Sequence, residues 1–368
     1  MNVLILTPDR VGSTLLQRLI TVYMAGHKYD KPVINLHELT NGIESYYSDI
    51  FNKEVLGKKW STDGVTFDFQ SLNEIIQLLH NADHYKTGRI AKYWFDGRDD
   101  PISEQIKFYN YLNENFYIIS ARRSNLFEHA LSWGIHGVTK KLNVYSPEEK
   151  TRIFQEIYKN GISIHPQKIV HHLNQYQEYV KWSDKYFQIS SYFDYENDMK
   201  DIEKYILNLD IFPGQERKTW NDIFSIPWND WNKCHKLLAD FGSSDITLLE
   251  NYTNPSTTDL APALLQNNLS LVDQNYLMSH GKKYVEVYQG LDQLRKQGIL
   301  PGVVPIKLQT LAEKQKIIKN FDQCVDVYNR WANDTGFGKQ YTNDEIKMIA
   351  NNEVKEWYNE VPPSLLLK

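Results

Sequence analysis

Cysteine is scarce in this sequence of 368 residues. Its two cysteines, Cys234 and Cys324, stand alone, so they form neither the paired spacing of a zinc site nor a disulfide framework. That usage fits a reducing compartment. The first residues also lack the charged start and the longer apolar run of a signal peptide. We therefore expect the protein to act in the cytoplasm.

Long apolar runs and clusters of one charge are missing as well. No stretch approaches the ~20 apolar residues needed to cross a bilayer, so we expect no membrane span. The formal net charge is −5 and no run of Lys or Arg stands out, which gives no reason to expect a nucleic-acid partner. Hydrophobic residues make up 41% and charged residues 24%, as in an ordinary globular protein.

Short apolar runs alternate with segments of helical spacing along the first part of the chain. Strands that alternate with helices are typical of an α/β fold with a mainly parallel sheet. We expect strands at residues 3–6, 31–37, 89–94, 116–119 and 186–190, and helices at residues 14–23, 71–80, 102–112, 126–134, 169–182 and 198–209.

Strand patterns fade after Trp220. We predict an α/β domain over residues 1–215 and a mainly helical region over residues 216–368, either separate or packed on the same core. The helical segments of that region are expected at residues 228–241, 276–297 and 308–331.

Two helix starts carry specific signals. Asn125 followed by Glu128 forms the pattern of a capping box, which predicts a helix beginning near Leu126. Pro147 directly after Ser146 predicts a second start, because proline is favoured at the first position of a helix.

The segment between the first strand and the first helix has the pattern of an anion site. It reads TPDRVGSTLL over residues 7–16. Free amides of the first helical turn, the helix dipole and Gly12 together form a cradle for phosphate. Ser13 and Thr14 add hydroxyl groups and Arg10 adds a fixed positive charge. The lysine and first glycine of the ATPase pattern G-x-x-x-x-G-K-[ST] are absent. An ordinary strand-to-helix turn is the alternative.

A second strand-to-helix segment reads YIISARRSNLFEHALSW from residue 117. Arg122 and Arg123 stand at the carboxyl end of the strand, and Ser132 lies on the helix that follows. Ligands of open α/β sheets bind at the carboxyl ends of strands, so these residues are suited to hold a second phosphate. The alternative is a surface pair of arginines and a serine used in helix packing.

Together these segments resemble the sulfotransferase superfamily. Its members carry a K/R-x-G-S/T-T-x-L loop that binds the 5′-phosphosulfate of the donor, 3′-phosphoadenosine 5′-phosphosulfate. A segment of the type R-x(6–8)-A-x-S binds the 3′-phosphate of that donor. The first pattern is matched by Arg10, Val11, Gly12, Ser13, Thr14, Leu15 and Leu16, and the second by Arg122 or Arg123 with Ala130 and Ser132.

A third match follows a late strand, where YFDYEN at residues 192–197 is similar to the YEDL element of the family. By this resemblance Tyr195 lies near the adenine. The resemblance covers residues 1–215 and implies a three-layer P-loop-type fold with a mainly parallel central sheet, followed by a helical C-terminal region. Two departures stand out. Val11 occupies a position where serine is frequent, and the spacing of nine from Arg123 to Ser132 leaves open which arginine binds the 3′-phosphate.

Sulfuryl transfer needs a base that takes the proton of the attacking acceptor. His37 and Glu38 follow the second expected strand, where several family members place such a group. Glu38 is the simplest assignment, and His37 is the second, because its unperturbed pKa lies nearest neutrality. Neighbouring side chains on a strand point to opposite faces, so only one of them is expected to face the donor. Alternatively, Glu38 caps a helix.

The resemblance implies a metal-independent sulfotransferase that releases 3′-phosphoadenosine 5′-phosphate. Its acceptor would be a hydroxyl or amine on a small molecule, carbohydrate, lipid or peptide, and the sequence does not specify which. A small-molecule kinase on the same fold is an alternative, but it would need a loop lysine and a carboxylate for Mg²⁺, neither of which is evident. A catalytically degenerate nucleotide-binding module is the other alternative.

Overall fold

A computed structural model of the chain describes residues 1–27, 33–39, 71–81, 85–92, 95, 100–139, 143–144, 147–219, 222–223, 304–305, 311–338 and 344–348. The fold of this part is α/β, with helices between the strands of a parallel sheet. The described residues fall into two compact units. The first lies within residues 1–122 and 179–223, and the second within residues 123–178 and 304–348.

Seven strands are described. They are β1 (Asn2–Leu6), β2 (Val33–Glu38), β3 (Tyr85–Ile90), β4 (Phe116–Arg122), β5 (Asn143–Val144), β6 (Ser191–Asp194) and β7 (Val304–Pro305). Five of them form the parallel sheet of the first unit in the order β2-β3-β1-β4-β6, whereas β5 and β7 pair antiparallel in the second unit. The expected α/β fold with a parallel sheet is confirmed.

The helices connect these strands and continue beyond them. They are α1 (Ser13–His27), α2 (Leu72–Asn81), α3 (Ile102–Asn115), α4 (Leu126–Thr139), α5 (Pro147–Asn160), α6 (Pro166–Tyr186), α7 (Tyr195–Asp198), α8 (Ile202–Asn208), α9 (Leu311–Ile317) and α10 (Phe321–Thr335). A turn of 3₁₀ helix, Met199–Asp201, joins α7 to α8. None of the helices described here is both long and apolar enough to cross a membrane.

One face of the sheet packs on an apolar cluster. Leu4 and Leu6 of β1 alternate with residues of the other face and are fully buried. A strand covered on both faces reads as a continuous apolar run, which is why β1 is recognisable in the sequence. The cluster around Leu4 and Leu6 is supplied mainly by α2, α3 and the end of α6, including Leu72, Ile75, Phe108, Leu112 and Trp182.

Helix α1 covers the opposite face. Val3 and Ile5 of β1 pair with Thr87 and Arg89 of β3 and therefore share their face of the sheet. The Thr87 hydroxyl is hydrogen-bonded to the hydroxyl of Thr21 on α1, with 2.8 Å between the oxygens. The described sheet thus has helices on both faces.

The second unit has its own aromatic core. Phe127 of α4 contacts Phe321 and Tyr328 of α10, with ring centroids 5.5 and 5.3 Å apart. The backbone of Ile164 exchanges two hydrogen bonds with the Asn320 side chain, at 3.1 and 2.7 Å. Residues near the end of the chain are therefore built into the same core as α4.

Three expected elements are wrong in position. The strand expected at residues 89–94 lies four residues earlier, as β3. Its buried residues are largely polar, so the sequence pattern does not mark them as a buried strand. The strand expected at residues 186–190 lies later in the chain, as β6 (Ser191–Asp194), because α6 continues to Tyr186. The single helix expected at residues 308–331 is two helices, α9 and α10, separated by a turn.

Two other expectations concern residues that the structure does not describe. The helices at residues 228–241 and 276–297 lie outside the described residues. The domain boundary near residue 215 falls inside the first unit, and it stays a prediction because most of the following residues, up to 303, lie outside the described part as well.

Candidate functional site

The strand order of the first unit makes the carboxyl edge of its sheet the candidate place for a ligand. From β1 the chain goes to β2 and β3 on one side, and it then crosses to β4 and β6 on the other side. Ligands of open parallel sheets bind at the carboxyl ends of the strands where the order reverses. Here that point lies between β1 and β4. The segment after β1 at this edge, residues 7–12, is called the anion loop below.

The backbone of the anion loop is held in an unusual conformation. Asp9 and Arg10 have φ angles of 62° and 55°, in the left-handed region that residues with a side chain rarely adopt. The Asp9 amide donates to Thr7 Oγ1 at 3.1 Å, and the Thr7 amide donates to the Ile90 carbonyl at 3.0 Å. Strain of this kind costs of order 1–3 kcal/mol per residue and persists where the surroundings enforce it, often at ligand sites.

Gly12 ends the anion loop with a φ of 72°. A β-carbon added there would lie 2.8 Å from both Met199 Cε and Tyr195 Cδ2, so the Tyr195 ring rests directly on the Gly12 backbone. The Leu16 amide donates to the Gly12 carbonyl at 3.1 Å, which starts the hydrogen bonding of α1. Glycine is therefore required both by the backbone angle and by the close approach of an aromatic ring.

We predict that Gly12→Ala lowers the free energy of unfolding by about 1–3 kcal/mol, because it adds a steric clash to left-handed strain. The matched control is Gly214→Ala, since Gly214 also has a φ of 72° but would place its β-carbon in open space. Urea denaturation of both variants separates the two contributions. Equal losses in the two variants would contradict the close packing of Tyr195 on Gly12.

A buried arginine lies beneath the start of α1, and sequence reasoning missed it. Arg89 of β3 is 3% exposed, and its Nη1 lies 3.4 Å from Ser13 Oγ. It was missed because the strand was expected to begin at this residue, whereas Arg89 is the second-last residue of β3. The sequence offers only a weak signal, a charged residue directly before the apolar Ile90.

Arg122 lies at the carboxyl end of β4, in register with Asp194 of β6. Its Nε donates to Ser120 Oγ at 3.1 Å, and its guanidinium forms an ion pair with Asp184. The guanidinium carbon also lies 4.6 Å from the centre of the Tyr192 ring. Because its side chain is 24% exposed, Arg122 can be reached by a ligand.

The carboxyl end of β6 is organised by two aspartates. Asp194 is the N-cap of α7 and accepts from the Glu196 amide at 3.3 Å. Asp198 accepts from the Asp194 amide at 2.6 Å. Burial raises the pKa of the Asp198 carboxyl. The hydrogen bond from the Asp194 amide opposes this rise, and the nearby charge of Asp194 adds to it. These contacts fix the direction in which Tyr195 leaves the strand.

Arg123 and Ser132 belong to the second unit. The Arg123 amide donates to the Tyr176 hydroxyl at 2.9 Å, and that hydroxyl donates to the Arg123 carbonyl. The Arg123 side chain is 6% exposed, and its Nη2 lies 3.9 Å from Glu128 Oε1. Ser132 is partly exposed on α4. The arginine is therefore much less accessible than Arg122.

The capping box expected at α4 is formed only in part. The Glu128 amide donates to Asn125 Oδ1 at 3.0 Å, as expected. The Glu128 carboxylate does not reach back to Asn125, because it forms a buried ion pair with Lys314 of α9. A residue of the C-terminal region is thus bonded to the first turn of α4.

Of the remaining expected site residues, the structure describes the side chains of some and only the backbone of others. Val11 is fully buried, which accounts for an apolar residue where serine is frequent in the resembling family. Arg10 is partly exposed. The backbones of Thr14 and Leu15 lie in α1, but their side chains are outside the described part.

The two candidate bases lie at the end of β2. The side chains of His37 and Glu38 are outside the described part of the chain, so the structure does not choose between them. Their backbone is informative, because Glu38 is in register with Arg89 and the pairing is irregular between Asn35 and Glu38. Simple alternation of side chains along β2 therefore does not apply here.

The described residues contain no group of three or more His, Cys, Asp or Glu side chains placed to hold a metal ion. Comparison of the chain with known protein families, with curated proteins and with solved structures gives no match.

Proposed function

We propose that this protein is a sulfotransferase with a P-loop-type fold. It would transfer the sulfuryl group of 3′-phosphoadenosine 5′-phosphosulfate to a hydroxyl or amine of an acceptor. The observation that carries the proposal is the anion loop. It joins β1 to the N-terminus of α1 at the reversal of strand order, with Arg10 on it and Tyr195 packed against it.

The residues of the first unit fit the two ends of this donor. Arg10, the free amides at the start of α1 and the Ser13 hydroxyl are suited to its 5′-phosphosulfate. The Tyr195 ring lies on Gly12 and offers an aromatic surface for the adenine. By the resemblance, Thr14 and Leu15 complete the contacts to the phosphosulfate.

The 3′-phosphate is assigned to Arg122 rather than Arg123. Arg122 lies at the carboxyl edge of the sheet and is 24% exposed, whereas the Arg123 side chain is 6% exposed. An exposed ion pair such as Arg122–Asp184 is weak, so a phosphate can replace the carboxylate at little cost. Arg123 with Ser132 stays the alternative that the sequence motif allows.

When bound, the donor supplies an activated sulfuryl group. Arg10 and the N-terminus of α1 would stabilise the negative charge that collects on the departing phosphate, since fixed donors aimed at developing charge lower the barrier. The base that takes the acceptor proton is assigned to Glu38, with His37 as the second candidate.

Calorimetric titration with 3′-phosphoadenosine 5′-phosphate and with ATP tests the proposal, each with and without Mg²⁺. We expect tight, metal-independent binding of the first nucleotide and weak binding of ATP. The opposite preference would favour a kinase. Labelled donor incubated with sugars, lipids, phenols and tyrosyl peptides then tests turnover. Binding without turnover of any acceptor would favour a binding module, and loss of turnover in EDTA would contradict the metal-independent scheme.

We predict that Arg10→Ala weakens the binding of 3′-phosphoadenosine 5′-phosphate by ~1.5–3 kcal/mol, the contribution of one hydrogen bond to a charged group. The matched control is Arg330→Ala, which removes the same charge from an exposed position on α10. Calorimetry should show an unchanged dissociation constant for the control. An unchanged constant for Arg10→Ala would exclude the anion loop as the phosphate site.

A further inference from the structure

Arg89 is a buried charge with a specific target. It is 3% exposed, and its guanidinium reaches the side chain of Ser13, which is 4% exposed. Burying a charge is costly unless it is compensated by good partners. An arginine buried here is therefore held by polar partners, and the Ser13 side chain at the start of α1 is one of them.

The contact has a direction, because an arginine only donates hydrogen bonds. Arg89 Nη1 donates to Ser13 Oγ over 3.4 Å, so the serine oxygen acts as the acceptor. A serine hydroxyl has a single hydrogen to donate, which must then point away from the guanidinium. Ser13 is also the first residue of α1, so its amide is one of the free donors of the helix start.

We propose that Arg89 is a positioning residue of the anion loop and acts through Ser13. Its guanidinium orients the Ser13 hydroxyl as a donor toward the phosphate oxygens of the bound ligand. It also places a buried cation beneath α1, which takes the role of the lysine that the anion loop does not have. Hydrogen bonds in such a chain strengthen one another in a low-dielectric interior. This inference rests on the proposed function, since it takes the anion loop as the phosphate site.

The length of the contact and the strand register agree with this role. A distance of 3.4 Å is at the long end for a hydrogen bond, and such contacts often tighten only when the ligand is bound. On β3, Arg89 stands between Ile5 of β1 and Glu38 of β2. One residue therefore connects the strand that leads into the anion loop with the strand that carries the candidate base.

A double-mutant cycle on Arg89 and Ser13 tests the proposal. The variants are Arg89→Met, Ser13→Ala and their combination, and the probes are 3′-phosphoadenosine 5′-phosphate and inorganic pyrophosphate in calorimetry. We expect Arg89→Met to weaken binding about tenfold to thirtyfold in the wild-type background, but less than about threefold when Ser13 is already alanine. Arg89→Lys should recover part of the loss, because lysine keeps the charge but not the planar fork.

Thr87→Val is the matched control for packing. Thr87 also joins β3 to α1, through its buried hydrogen bond with Thr21, but it lies outside the anion loop. Its replacement should leave both dissociation constants unchanged. If Thr87→Val weakens binding as much as Arg89→Met, Arg89 merely holds the helix in place and the proposal is wrong.

The remaining outcomes separate this inference from the proposed function. Additive losses for Arg89→Met and Ser13→Ala would overturn the inference and leave the function standing. Binding of pyrophosphate but not of the nucleotide would overturn the function, while the cycle measured with pyrophosphate still tests Arg89. Binding of neither probe would overturn both. If Arg89→Met does not fold, the same cycle is measured with Arg89→Lys, and additive losses in it overturn the inference.

Discussion

Replacing Lys314 with methionine should lower the free energy of unfolding by about 3–5 kcal/mol, the cost of removing one partner of a buried ion pair. The Lys314 and Glu128 side chains are 5% and 7% exposed, and the ammonium bonds directly to Glu128 Oε1. Glu128 Oε2 is buried without a hydrogen bond in the described structure. The variant would therefore leave a buried carboxylate whose nearest remaining described cation, Arg123, lies 3.9 Å away.

Urea denaturation followed by circular dichroism measures this loss. Lys316→Met on the same helix is the matched control, because Lys316 is exposed and should change stability by less than about 0.5 kcal/mol. The double variant Lys314→Met/Glu128→Gln removes both charges and should recover most of the stability. Equal midpoints for Lys314→Met and wild type would show that the ion pair does not hold α9 to α4.

The fold was predictable where burial left a simple pattern. β1 and β4 are apolar runs because both faces of their sheet are covered, and both lie where the sequence places them. The start of α4 was predictable too, because Asn125 caps the Glu128 amide. Local sequence patterns predict an element correctly when its tertiary contacts favour the same conformation.

β3 shows why other parts could not be predicted. Lys86, Thr87 and Arg89 are buried there, against the usual preference of such residues for the surface. Their burial depends on neighbours distant in sequence, such as Thr21 and Ser13 on α1. Without those neighbours the polar run does not read as a central strand, and the expected strand shifts to the apolar and aromatic residues that follow.

The candidate site likewise has a part that is local in sequence and a part that depends on residues distant in sequence. The strand, the loop with Gly12 and the helix start were predictable because they are consecutive in sequence, whereas anion binding by this loop stays a prediction. By the family resemblance Tyr195 was expected near the adenine, but its contact with Gly12 and the reach of Arg89 to Ser13 were not expected. Both depend on the register and order of strands, which a single sequence does not encode locally. The same holds for Lys314, which lies 186 residues from its partner Glu128.

Replacing Glu38 with glutamine should reduce kcat by roughly 10²–10⁴-fold, the usual contribution of a general base. In the proposed reaction the acceptor oxygen must lose its proton as it attacks sulfur, and glutamine cannot take that proton. The backbone of Glu38 stands beside Arg89, whose side chain reaches Ser13 at the start of α1. β2 pairs directly with β3, so the end of β2 lies beside the strand whose Arg89 contacts Ser13 in the proposed donor site.

Steady-state kinetics with labelled donor, together with calorimetry, test this assignment. Glu38→Gln should keep the wild-type affinity for 3′-phosphoadenosine 5′-phosphate, because the base acts on the acceptor and not on the donor. It should also abolish the acidic limb of the kcat/KM profile, which reports the base of the free enzyme. The matched variant His37→Ala should retain turnover within about threefold, because in this assignment His37 takes no part in the proton transfer. The reverse pattern would assign the base to His37, and full turnover in both variants would remove β2 from the chemistry.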